Sequence, residues 1–265
     1  MRRVRREFWW IIALWACLSV VRGAGWHDPM EFEAEVRQFE ESDRRTPPPA
    51  NPILFTGSST IRAWLSLTND FRDLPVINRG FGGSHYSDLV HFYPRLVPPY
   101  RPGMVLLYSG DNDLGSGLGV GDVFTELTNL VARIRTDLPG TFVGIISVKP
   151  SPARLGVLAK QHDFNDRVRK FCAGQPLLRF IDVVPAMLDQ TGRPKPELFG
   201  PDQLHLSSAG YALWTDLIRA ELGRWGPYRP KRFSVFPAVA GAALAGGVAM
   251  VVWLRRQWSQ PRPTP

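Results

Sequence analysis

The chain reads as an α/β domain built on a parallel sheet covered on both faces, and three observations predict it. Five short apolar runs recur through its middle, Ile53–Thr56, Pro75–Asn78, Met104–Ser109, Phe142–Ser147 and Arg179–Val183. They are continuous rather than alternating, as strands buried on both sides are. Helix-like periodicity fills the intervals between them. It is clearest in Val120–Leu138, where Val123, Leu127, Leu130, Val131, Ile134 and Leu138 share one stripe, and in Leu155–Cys172. Finally, Gly-containing polar islands follow runs one, two and three. In open α/β sheets the site lies beyond the carboxyl ends of the strands, where these islands fall.

Taken in order, Met30–Arg44 opens the body as an amphipathic helix, with Phe32, Val36 and Phe39 at helical spacing among charges. The Pro-rich stretch 46–52 breaks it before the first strand. A last helix, Ser208–Leu222, closes the domain, with Ser207 placed to cap it. The domain therefore spans 52–222, preceded by a helix and linker over 26–51.

The ends are expected to be different in kind. Residues 1–25 join a basic start to the 14 uncharged residues Phe8–Val21. As a helix that run reaches about 21 Å, short of a hydrocarbon core of about 30 Å, so a secretory signal or N-terminal anchor is expected. After a basic linker, 223–232, the 22 residues 233–254 carry no charge. They would reach about 33 Å, and a transmembrane helix is expected there, with a disordered Pro-rich tail over 255–265. That topology puts the domain outside the cytoplasm, anchored to a membrane in the cell envelope.

Charge distribution supports this and excludes a nucleic-acid partner. The net charge is +8, with +4 on residues 1–25 and +7 on 222–265, leaving −3 on the body. A mildly acidic body offers no basic stripe for a phosphate backbone. Cys17 lies in the first apolar run, which leaves Cys172 alone in the body, without a disulfide or zinc set. His27, His85, His91 and His162 have no metal-ligand spacing, so neither a metal nor another cofactor is expected.

The chemistry lies in four islands, Gly57-Ser58-Ser59-Thr60, Gly82-Gly83-Ser84, Gly110-Asp111-Asn112-Asp113 and Asp202-Gln203-Leu204-His205. In the first, a strand ends at Gly and polar residues begin a helix, where free N–H groups face a developing negative charge. The second is a Gly loop whose backbone N–H can approach a substrate oxygen. In the third, Asn112 offers a side-chain N–H donor. The fourth places a carboxylate and an imidazole three residues apart, so that Asp202 accepts from one ring nitrogen while the other takes a proton from Ser59. Singly, each has a commoner role as a cap or a turn. Together they are the parts for acyl transfer to water through a serine. There is no phosphate-binding Gly-x-x-x-x-Gly-Lys, which argues against a nucleotide-binding domain.

In this order the islands resemble the SGNH hydrolases, also called GDSL esterases and lipases, over about Pro52 to Leu222. The flanking Val76–Ser84 and Leu204–Tyr211 strengthen the resemblance. It implies a three-layer α/β/α sandwich with five parallel strands, similar to flavodoxin. It also implies Ser59 as nucleophile, Asp202 and His205 as the acid–base pair, and an oxyanion hole of Ser59 N–H, Gly83 and Asn112. The implied substrates are carboxylic esters: a lysophospholipid, another acyl lipid or an acetylated envelope glycan. An inactive, membrane-anchored binding or scaffold module is the alternative. Two positions depart from the family pattern. Ser58 stands in place of the usual Asp, and Asp111 where Gly is frequent. Asp111 is expected either to add negative charge near His205 or to point to solvent. Ser58, Ser84, His85 and Asp111 are the further candidates for the pocket.

Overall fold

The computed structural model describes residues 28–225. Its centre is a five-stranded sheet in the order β2-β1-β3-β4-β5. The strands are β1 (Ile53–Gly57), β2 (Val76–Gly80), β3 (Met104–Tyr108), β4 (Phe142–Ile146) and β5 (Leu178–Ile181), and every pairing is parallel. The register aligns Gly57 with Gly80 on one side and with Tyr108 on the other, so β1 ends level with both neighbours. From β1 the chain goes first to one side and then, at β3, to the other. The crevice between β1 and β3 is therefore the topological switch point, the usual binding position in this strand order.

Successive strand residues face opposite cores, as the period of two requires. Leu54, Val105, Leu107 and Val143 point into one core, packed with α1 (Glu33–Arg45), α4 (Tyr86–Leu96), α6 (Val120–Asp137) and α7 (Leu158–Cys172). Ile53, Phe55, Leu106 and Tyr108 point into the other. That side holds α2 (Ser59–Arg62), α3 (Leu67–Asp70), α8 (Val184–Met187) and α9 (Ser208–Arg224). The second core is aromatic. Trp64 packs against Phe55, Phe71, Tyr211 and Trp214, with ring centroids 5.1–6.2 Å apart. Tyr211 also donates from its hydroxyl to Thr60 O at 2.9 Å, which ties α9 to α2.

The remaining helix is α5 (Asp111–Gly115), directly after β3. The final helix starts as expected: Ser207 Oγ accepts from Gly210 N at 3.2 Å. The expected helix over Leu155–Cys172 is in two parts, a 3-10 turn over Pro152–Val157 followed by α7. Pro152 supplies the fixed φ and missing N–H that suit the first position of such a turn.

The fold class needs one correction. The α/β sandwich with its five parallel strands is present, but among the described residues no helix is long and apolar enough to cross a membrane. The longest, α6, has 18 residues and carries Asp122, Glu126, Arg133, Arg135 and Asp137, as a half-buried surface helix does. The leader expected over 1–25, the spanning helix over 233–254 and the tail over 255–265 lie outside the described residues.

Candidate active site

The sheet edge builds the site from three short turns and one loop. At the end of β1, Gly57 adopts φ +139°, and a Cβ there would lie 1.8 Å from Tyr108 O. Only glycine lets the strand pass so close to β3 before turning into α2. Ser58 then donates its N–H to Tyr108 O at 3.0 Å, and its carbonyl accepts from Ile61 N at 2.9 Å. Its side chain is buried. Ser59 is the first residue of α2 and half-buried. A four-residue helix has little macrodipole, so its useful feature is the Ser59 N–H, which has no partner within the helix.

The acid–base loop reaches the same point from the start of α9, on the same side of the sheet as α2. Asp202 Oδ1 accepts from the backbone of Leu204 and His205, both at 3.0 Å. Asp202 Oδ2 lies 2.5 Å from His205 Nδ1, and His205 Nε2 lies 2.9 Å from Ser59 Oγ. With the ring proton on Nδ1 and donated to Asp202, Nε2 is free to accept from Ser59. The hydrogen bond from His205 holds the Asp202 carboxyl down to about 2, helped by the two backbone donors. Gln203 between them takes a left-handed φ of 55°, which folds the loop tightly enough for His205 to return over Asp202. The loop is closed by Gly200 N donating to His205 O at 2.8 Å. Asp202 is 51% exposed and His205 37%, so the pair sits at an open rim.

Gly83 follows β2 and Asn112 lies in α5 just after β3, at the same carboxyl edge of the sheet as Ser59. Gly83 is exposed, with φ +75°. Asn112 Nδ2 donates to Ser84 O at 3.2 Å, which sets α5 against the glycine loop and leaves the second amide hydrogen for another acceptor. Asp113 reinforces the contact, because its Oδ1 accepts from Tyr86 N at 2.9 Å where α4 begins. Burial pushes the Asp113 carboxyl up to about 7. Ser84 and His85 serve the same joint from below. Ser84 is fully buried and donates to Phe81 O at 3.1 Å, and the buried His85 places Nε2 3.0 Å from Ser116 Oγ.

Asp111 does neither of the things expected of it. It is 4% exposed, and its Oδ2 lies 2.9 Å from Lys149 Nζ, itself 1% exposed. Gln161 Nε2 donates to Oδ1 at 3.1 Å, and Arg154 Nε lies 3.7 Å from it. The ammonium also sits over the Tyr108 ring, 5.6 Å from its centroid. Burial pushes Lys149 toward neutrality, but Tyr108 and Asp111 outweigh it and raise its pKa. The extra carboxylate is thus neutralised inside the protein, one residue from Asn112. Beyond Lys149 the chain runs to Ala153, whose N–H donates to Gln203 O at 3.1 Å. One loop therefore touches both the Asp111 pair and the acid–base loop.

Lys149, Arg154 and Gln161 were not among the sequence candidates. The available signal was a lysine closing an apolar run, just ahead of Pro150-Ser151-Pro152. Among the described residues no group of three or more His, Cys, Asp or Glu side chains is arranged to hold a metal ion.

Comparisons with known proteins bear on this arrangement. The sequence model of the GDSL-like Lipase/Acylhydrolase family matches residues 49–213. Among solved structures, a protein from Streptococcus pneumonia named for platelet activating factor superposes with a TM-score of 0.66 at 20% identity, covering 73% of this chain and 94% of that one. A GDSL-like lipase from Bacteroides thetaiotaomicron gives 0.64 at 17%, covering 72% and 98%. A catalytic mutant of an acetylxylan esterase from Geobacillus stearothermophilus gives 0.54 at 16%, covering 66% and 95%. At these identities the likeness is one of fold. No curated protein matches the chain.

Proposed function

The chain belongs to the GDSL-like lipase/acylhydrolase family and is a carboxylic ester hydrolase, and from that premise we propose that it works through an acyl-enzyme on Ser59. The observation that carries this is the unbroken relay from Asp202 Oδ2 through His205 to Ser59 Oγ, with links of 2.5 and 2.9 Å. Ser59 Oγ attacks the ester carbonyl while His205 Nε2 takes its proton. Asp202 holds the ring in the required tautomer and stabilises the imidazolium. The carbonyl oxygen, now negative, is received by the N–H groups of Ser59 and Gly83 and the free amide hydrogen of Asn112. His205 then gives the proton to the departing alcohol. Water, activated by the same imidazole, releases the acid and restores Ser59.

The acyl group in this reading is short, an acetyl carried on a carbohydrate. Two features support it over a long acyl chain. The acid–base pair is open to solvent, which suits a bulky alcohol portion. Several of the residues buried around the site's turns are polar, Ser84, Ser109, Asp111, Asp113, Ser147 and Lys149 among them. An alkyl chain needs an apolar channel to gain from burial. The acetylxylan esterase with this fold is consistent with the same choice.

Two measurements test the proposal. Ser59→Ala is expected to abolish hydrolysis of p-nitrophenyl acetate and labelling by a fluorophosphonate probe. Equal labelling of variant and wild type would sink the serine mechanism and favour a binding module instead. Acetylated xylooligosaccharides are expected to exceed lysophosphatidylcholine and p-nitrophenyl palmitate in kcat/KM by about a hundredfold. The reverse order would assign an acyl-lipid substrate.

A further inference from the structure

We propose that Glu35, on the helix preceding the family domain, is a positioning residue that locks the glycine loop of the oxyanion hole to the nucleophile's helix. The inference rests on the reading of the site given above. Helix α1 ends at Arg45, whereas the family match begins at residue 49, so the clamp comes from outside the matched region.

Glu35 Oε2 accepts from Gly82 N at 3.1 Å and lies 3.3 Å from Arg62 Nε. Gly82 precedes the donor Gly83, and Arg62 closes α2, the helix that Ser59 opens. One carboxylate thus ties together the two backbone segments whose N–H groups must converge on the same oxygen. The fit is close. A Cβ on Gly82 would lie 2.5 Å from an Arg62 guanidinium nitrogen, so the arginine lies flat against the loop.

The loop needs such a tie. Phe81 N is held by Gly57 O at 3.0 Å and Ser84 Oγ by Phe81 O at 3.1 Å, but the tip between them is two glycines. Gly83 is exposed, and a Cβ added to it would meet nothing within 4 Å. Glycine pairs are the least restrained backbone a chain can have.

Helix α1 is itself fixed, so Glu35 has a firm base. Asp43 pairs with Arg79 of β2 and accepts from Tyr100 Oη at 2.6 Å. Glu33 and Glu40 each hold Arg95 of α4 at 2.6 Å. Val36 is fully buried, and just ahead of the helix Phe32 meets the Phe81 ring edge-on at 5.2 Å. These contacts place α1 across the β2 edge of the sheet, next to the loop that Glu35 holds.

A mispositioned donor weakens binding of the transition state more than of the ground state, so the loss belongs in kcat. The test is steady-state hydrolysis of p-nitrophenyl acetate by full-length Glu35→Ala and Glu35→Gln, with Tm and amide hydrogen exchange of Gly82. Glu35→Ala is expected to lower kcat about tenfold with KM unchanged, and to speed exchange at Gly82. Glu35→Gln keeps an acceptor for the Gly82 N–H and is expected to recover most of that loss. A Glu35→Ala protein with wild-type kcat and wild-type exchange overturns the proposal. So does one that loses Tm and activity together with no recovery by Glu35→Gln. Wild-type protein that hydrolyses none of the esters would instead overturn the reading of the site, and this proposal with it.

Discussion

Asp202 carries more than one task in a single side chain. One oxygen receives the ring of His205 and the other receives two backbone N–H groups, so the carboxylate shapes the loop as well as orienting the base. Its pKa of about 2 keeps it ionised through the neutral range, and this contribution to stability is lost only as pH falls below about 4 toward about 2. Asp202→Asn offers a donor where an acceptor is needed. It is expected to lower kcat by on the order of 10³–10⁴-fold in an ester-hydrolysis assay, with the protein still folded by circular dichroism. In the proposed mechanism Asn112→Ala removes one oxyanion donor, and kcat is expected to fall about 10²–10³-fold at nearly constant KM. The residues of the relay were legible because each stands in a local island, and Asp202 and His205 lie three positions apart. Gln161 and Glu35 were not. Their partners, Asp111 and Gly82, are 50 and 47 residues away, and no local spacing joins them. Asp111 misled for the same reason, because its fate depends on Lys149, 38 residues downstream.

Among the elements, the strands were the most legible, since a strand buried on both faces is a continuous apolar run. The two edge strands were the least well bounded: the expected runs are Pro75–Asn78 and Arg179–Val183, whereas the strands are Val76–Gly80 and Leu178–Ile181, the latter with Arg179 exposed. An edge strand buries only part of its surface, so its pattern is mixed. Helices α3 and α8 have four residues each and cannot complete a hydrophobic period, which hid them, whereas the start of α2 was legible from its polar residues after Gly57. The turn from β1 to α2 is the element on which the site depends most. Gly57→Ala would drive a methyl group into the Tyr108 carbonyl at a strained φ. It is expected to cost about 4 kcal/mol or more, read as a shift in the urea midpoint, and to abolish hydrolysis with it.

For the whole molecule, buried charge governs how stability responds to pH and mutation. Burial lifts the Asp113 carboxyl to about 7 in the folded chain, against about 3.9 for a free aspartate. Between those values the unfolded carboxyl ionises while the folded one keeps its proton, so stability falls as pH rises through about 4 to 7. Asp113→Asn is expected to flatten that part of the Tm-versus-pH curve, and an unchanged slope would contradict the assignment. The Asp111–Lys149 pair behaves differently. Lys149→Met alone strands a buried carboxylate and is expected to cost about 3–5 kcal/mol in urea unfolding, whereas Lys149→Met with Asp111→Leu is expected to recover most of it.

The strand order and the Ser59–His205 contact have one more consequence, for the order of synthesis. The proposed nucleophile lies on the first crossover, and its proposed base arrives 146 residues later, just before the closing helix α9. A nascent chain that has made its whole sheet still carries Ser59 as an inert hydroxyl. In the proposed mechanism, hydrolysis waits for the last helix to dock, with Tyr211 reaching back to Thr60 and Trp214 entering the aromatic core. On that mechanism, chains truncated before α9 are expected to hydrolyse no ester, so turnover reports a finished chain.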